Sequence, residues 1–165
     1  MSKTEQRIPA PYGLDAEEGS ALWYLGTLLK VKATGRETNG KYSLVEELCP
    51  RDFGTPWHVH RREDESFLII DGEATFFVGD GVIEARAGSF VFLPQGIPHA
   101  FRIESDSAHL FNLITPAGFE DFYLDLSEPA RELVMPPPLE DPPDFQAIAA
   151  AAAKYDCEIL GPPPS

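Results

Sequence analysis

Gly54-Thr55-Pro56-Trp57-His58-Val59-His60, running on through Arg61-Arg62-Glu63-Asp64-Glu65 to Asp71-Gly72, is the stretch that decides the fold. Residues two apart on a strand face the same side, so His58 and His60 aim two imidazoles into one space. Glu65 opens the next strand after a tight connection and can bring a carboxylate to that space. Two neutral imidazoles and a carboxylate, with positions left open, suit a divalent transition metal, and zinc accepts the same donors. Glu63 is a rival that could reach in from the loop. Glu65 keeps the parity of Phe67 and Ile69, which favours it on period-two geometry. Glu63 and Asp64 then read as solvated loop charges.

Downstream, Gly88-Ser89-Phe90-Val91-Phe92-Leu93-Pro94-Gln95-Gly96-Ile97-Pro98-His99 places a tight turn just before His99. That histidine is free to enter from another strand as a fourth ligand. Parity then carries Phe101 and Ile103 to the same side as His99. Phe67, Ile69, Phe101 and Ile103 are therefore expected as pocket wall, as packed barrel core, or as both. The chain has four histidines. His109, the leftover, reads as a surface or partly buried residue on an alternating strand.

Outward from these segments the chain is strand after strand. Ala21 to Ala33 is apolar and β-prone. Asn39-Gly40 signals a hairpin, with Tyr42 to Leu48 as the return strand. Thr55–His60, Glu65–Ile70, Glu73–Val78, Val82–Ala85, Ser89–Leu93, His99–Ile103 and Ala108–Thr115 follow, with turn dipeptides at Asp71-Gly72 and Gly79-Asp80-Gly81. Short strands with turn signals this dense point to a sandwich or barrel. Pro116 to Glu132 looks weakly helical, and Met135 to Pro143 is a Pro-rich extended arm. Phe145, Ile148, Ala149, Ala152 and Tyr155 recur at helical spacing, with Asp141-Pro142 as the expected cap. This last helix is expected to pack outside the barrel or on a partner chain.

The 165 residues carry a formal charge of −14, from 27 acidic and 13 basic side chains. Such a surface repels phosphate backbones, and no basic run invites an anionic membrane; no nucleic-acid and no membrane partner is expected. Met1 to Gly19 is polar, without the apolar stretch of a signal peptide. Cys49 and Cys157 read as ordinary free thiols, which fits a reducing cytoplasm. No GxSxG elbow, phosphate loop, HExxH helix or helix-turn-helix is present.

The two quoted segments resemble the paired motifs of the cupin family. The first motif, Gly, five residues, His-x-His, four residues, Glu, six residues, Gly, runs from Gly54 to Gly72 with three residues in its first gap instead of five. The second, Gly, five residues, Pro-x-Gly, two residues, His, runs from Gly88 to His99 without a gap error; Ile103 stands where the family usually has Asn. Fifteen residues separate the motifs, close to the spacing of one-domain cupins. The resemblance implies an all-β cupin double-stranded β-helix, a jelly-roll barrel, with a short C-terminal α-helical extension. One domain is expected over residues 1–165, its core about 21–115 and its extension 116–165. It further implies one divalent metal ion (Fe, Mn, Ni, Co or Zn) on His58, His60, Glu65 and His99.

The chain is also similar to bacterial quercetin 2,3-dioxygenase-like cupins. That likeness implies a dioxygenase acting on a small, enol-bearing or aromatic substrate, with Glu65 doubling as the catalytic base. A non-redox metal-dependent isomerase, lyase or hydrolase, and a binding cupin without catalysis, are the alternatives, because fold does not fix function. Small cupins commonly pair through outer strands and terminal arms, so a homodimer is expected; an open edge strand is a liability.

Overall fold

Ala21 to Ala33, unbroken and apolar in sequence, folds as two strands because Leu25 and Gly26 both take positive φ, 45° and 86°. That backbone makes a tight two-residue hairpin turn. β1 (Ser20–Tyr24) and β2 (Thr27–Ala33) pair antiparallel across it. The computed structural model describes residues 8–165; the first seven residues of the polar N-terminal stretch lie outside the described residues.

Asn39-Gly40 does not form the expected hairpin turn. Thr34 and Glu37 close a capping box on a short helix, α1 (Gly35–Thr38), and Asn39 ends it in the left-handed conformation. The strand pairing is nonetheless as read: β3 (Ser43–Pro50) returns antiparallel to β2. β4 (Trp57–His60), β5 (Asp64–Asp71), β6 (Glu73–Val78), β7 (Gly81–Arg86), β8 (Phe90–Leu93), β9 (His99–Ile103) and β10 (Ser107–Thr115) follow. Asp71-Gly72 joins β5 to β6, but these belong to opposite sheets, so the dipeptide is a corner and not a hairpin. Gly72 has φ +87°, and a Cβ there would run into the Ser107 carbonyl and the Ala108 backbone. Only glycine fits that corner.

The tail departs from its reading in three places. Residues 116–132 hold one short helix, α2 (Glu120–Leu126), and a two-residue strand, β11 (Glu128–Pro129). Asp144, not Asp141, caps α3 (Phe145–Ala153), accepting from Gln146 N at 3.0 Å and Ala147 N at 3.1 Å. A last strand, β12 (Cys157–Gly161), pairs with β4 and was not expected.

The strands form two antiparallel sheets, β11-β1-β2-β3-β10-β5-β8 and β12-β4-β9-β6-β7. They face each other as a jelly-roll barrel, the fold class implied by the motifs. One core cluster, including Phe67, Ile69, Phe76, Phe101, Ile103 and Leu110, fills the space between the sheets. A second joins Leu29 and Val45 to Phe119, Phe122, Ile148, Ala152 and Cys157 of the tail. Each fully buried Phe or Ile contributes about 1.5–3 kcal/mol. The tail therefore packs against the barrel's inner residues as part of its core, where the last helix had been expected outside the barrel or on a partner chain.

Candidate metal centre

Strand pairing brings the histidines together. His58 on β4 and His99 on β9 are direct cross-strand partners, and His60 shares the His58 face by parity. Glu65 enters from β5 in the other sheet, so the cluster spans the space between the sheets. All four residues are buried, and one ligand atom from each lies within 4.8 Å of all the others. Glu65 Oε2 is 2.9 Å from His99 Nε2, 3.2 Å from His60 Nε2 and 3.9 Å from His58 Nε2. Donors each about 2.1 Å from a shared ion stand about 3.0 Å apart at right angles and about 3.4 Å apart at the tetrahedral angle. The observed separations bracket these values.

The outer nitrogens are arranged to match. His58 Nδ1 donates to Pro56 O at 2.7 Å and His99 Nδ1 to Ile97 O at 2.9 Å, which leaves each Nε2 as a bare lone pair facing Glu65. His60 Nδ1 lies 3.5 Å from Glu63 Oε2. Neither nitrogen of His60 has a well-aligned hydrogen bond, although the side chain is buried. A buried imidazole left without a partner is costly, and an ion among the Nε2 atoms would relieve it. The residues present fit a metal ion.

The charges are strongly coupled. Burial alone would raise the Glu65 pKa, but the His60 charge and the close approach of the three imidazoles to Oε2 hold it well below the usual carboxylate range. Burial alone would lower His60; Glu65 and Glu63 outweigh it and push the imidazole up to about 9. Burial lowers His58, with Glu65 opposing.

Glu63 corrects the reading of it as a solvated loop charge. It is 1% exposed and backs His60 from outside the cluster, because the loop after β4 folds inward before β5 begins. Asp64 is half-buried and accepts from Gln95 N at 2.8 Å. His109 is half-buried and meets Glu46 Oε1 at 2.8 Å, apart from the cluster.

A cavity of about 50 Å³ opens on His58, Glu65 and His99. Phe67 and Phe101 line it, whereas Ile69 and Ile103 are fully buried core outside its wall. Much of the wall comes from the tail: Phe119, Phe122, Tyr123, Ile148, Cys157 and Ile159. The sequence reading also passed over Asn112 and Glu47. Asn112 donates from Nδ2 to Glu65 Oε1 at 2.8 Å. Both occupy inward positions of their strands, Asn112 between Leu110 and Ile114 and Glu47 between Val45 and Cys49. A polar residue at an inward position was the available signal.

Both cysteines are free and buried. Among the described residues no helix is long and apolar enough to cross a membrane.

Residues 44–114 match the family model described as Cupin domain. The chain is 25% identical over 126 residues to quercetin 2,3-dioxygenase of Bacillus subtilis (strain 168), covering 76% of this chain and 37% of that protein. It is 23% identical over 117 residues to quercetin 2,3-dioxygenase of Aspergillus japonicus, covering 67% and 33%. The chain thus spans about a third of the length of these relatives. Among solved structures, an RmlC-like cupin from Shewanella frigidimarina aligns with a TM-score of 0.59 at 18% identity, covering 68% of this chain and 96% of that one. At that identity the likeness speaks for the fold.

Proposed function

We propose that this chain, a member of the cupin superfamily, is a metal-dependent, dioxygenase-like enzyme acting on a small molecule with an acidic hydroxyl, an enol or a phenol. The observation that carries this reading is the convergence of three Nε2 atoms and Glu65 Oε2 at a buried cavity walled by aromatic rings. His58, His60, Glu65 and His99 would hold one divalent ion; the donor set admits Fe, Mn, Ni, Co or Zn. When bound, that ion would supply Lewis acidity toward a substrate oxygen and, if redox-active, electrons for dioxygen chemistry.

In this reading the chain's own groups do the positioning. Phe67, Phe101, Phe119 and Phe122 exclude water from the reacting face. Asn112 holds Glu65 Oε1, so only Oε2 faces the histidines. Glu65 accepts the proton of the incoming hydroxyl. A carboxylate held below its ordinary range is a weak base, so Glu65 can take the proton only of a hydroxyl that a bound ion has acidified. The identity of about 25% to quercetin 2,3-dioxygenase supports the oxygenase form of the reading. The reading takes residues 1–165 as one cupin domain and includes a homodimer in a reducing cytoplasm, in keeping with two free thiols.

Elemental analysis of the purified chain, then oxygen-electrode measurements with small enols and phenols, tests it. Metal at one equivalent with substrate-dependent oxygen uptake is expected. Conversion without oxygen uptake would favour an isomerase, lyase or hydrolase instead. Tight binding with no conversion would favour a binding cupin.

A further inference from the structure

Glu47 opens on the same cavity and takes no part in the histidine cluster. It sits on β3, opposite Leu29 of β2 and Leu110 of β10, and is 4% exposed. Its polar neighbours are the Cys49 thiol, Sγ to Oε2 3.9 Å, and the Asn112 amide. No lysine or arginine forms an ion pair with it among the described residues, unlike its neighbour Glu46, which Lys30 and Lys32 meet at 3.0 and 3.2 Å. Tyr24 and Tyr123 line the same cavity, their rings edge to face at 5.3 Å.

A carboxyl without a cation in an apolar chamber is costly to ionise. Burial, with the Glu65 charge, pushes the Glu47 pKa to about 8, against smaller opposing effects of Asn112 and Cys49. At neutral pH the group is mostly uncharged and can donate as well as accept. The remaining wall is largely aromatic and aliphatic. The cavity is small, about 50 Å³, which favours a ligand of a few heavy atoms over a multi-ring one.

We propose that Glu47, with the Tyr24 and Tyr123 hydroxyls, holds the second oxygen function of a ligand whose first oxygen meets the metal cluster. The ligand class is a small hydroxycarbonyl or enediol of a few heavy atoms, uncharged where it meets Glu47. This rests on the metal reading above and narrows its substrate class.

The test uses the full chain loaded with cobalt(II) and hydroxyacetone as probe, a hydroxycarbonyl of about five heavy atoms, followed through the visible bands of the ion. Glu47→Leu should keep one equivalent of cobalt and a cooperative melting transition, while the probe dissociation constant rises about tenfold, the scale of one lost buried hydrogen bond. Glu47→Gln, which restores a donor and an acceptor, should recover affinity to within about threefold. Tyr24→Phe should weaken the probe by a smaller factor. Equal probe affinity in wild type and Glu47→Leu overturns the proposal alone. So does a loss that Glu47→Gln fails to recover, or a wild-type protein that binds cobalt yet takes up no probe at millimolar concentration. A wild type that binds no metal overturns the metal reading and this proposal together.

Discussion

Asn112 Nδ2 donates to Glu65 Oε1 at 2.8 Å, which leaves Glu65 Oε2 alone to face His58, His60 and His99. The bond crosses from β10 to β5 inside the barrel and fixes the carboxylate's rotation. Asn112→Ala should weaken metal binding about 10- to 100-fold, as removal of a group that orients a ligand does. Isothermal titration with cobalt or zinc reads this directly. An affinity within twofold of wild type would show that the hydrogen bond does not orient the ligand.

Single changes His58→Ala, His60→Ala and His99→Ala should each strip most of the bound metal. Metal should raise the melting temperature of the wild type and not of the variants, because binding to the folded state alone stabilises it. Metal affinity of the wild type should also fall as pH drops below about 9, where His60 takes up a proton, and further toward pH 5, since imidazole ligands must shed their protons to bind. Full metal content in every single variant would remove the cluster from consideration.

Glu65 and Glu63 separate by role. Glu65→Gln keeps the shape but loses charge and basicity; metal binding should weaken, and turnover of an acidic-hydroxyl substrate should drop about 100-fold or more. Glu63→Gln should leave the cluster in place and weaken metal about tenfold, through the lost partner of His60 Nδ1. If Glu63→Gln abolishes turnover and Glu65→Gln does not, the assignments are reversed.

Glu47 should make stability depend on pH. Its folded pKa of about 8 lies above the ordinary 4.5. Between those values the folded state keeps a proton that the unfolded state releases, so the contribution is fully present below about pH 4.5 and is lost as pH rises toward 8. The groups facing it are Cys49 on its own strand, Glu65, Asn112, Tyr24 and Tyr123. Urea unfolding of metal-free protein should show the wild type losing on the order of 3 kcal/mol relative to Glu47→Gln between pH 5 and pH 8. Parallel pH profiles for the two proteins would contradict the buried, unpaired carboxyl.

The homodimer expectation has a surface to be tested on. Leu68 and Ile70 on β5 and Phe90 and Phe92 on β8 are 42% to 65% exposed, and β8 ends the seven-stranded sheet. An apolar face beside an open edge favours self-association. Light scattering at micromolar concentration should give a dimer, and Phe90→Asp with Phe92→Asp a monomer. A wild-type monomer would rule out this association.

The convergence of His58, His60, Glu65 and His99 was legible in the sequence because its geometry is short-ranged. Parity alone turns His58 and His60 to one face, the four residues after His60 deliver Glu65, and the Pro94-to-Pro98 turn delivers His99. The strands were legible for the same reason, since each is set by its own alternation and turn residues. What Glu63, Asn112 and Glu47 do was decided only in three dimensions. A carboxylate two residues from Glu65 is a solvated charge or a buried support according to how its loop packs. Glu47 and Glu46 are adjacent, yet Glu46 finds two lysines outside while Glu47 faces the cavity. The cavity wall is likewise tertiary: Ile148, Cys157 and Ile159 reach His58 and Glu65 only because β12 pairs with β4 and lays α3 against the barrel's inner residues. Alternation says which way a side chain points; what it meets there depends on residues as many as a hundred positions away, and no local pattern encodes that.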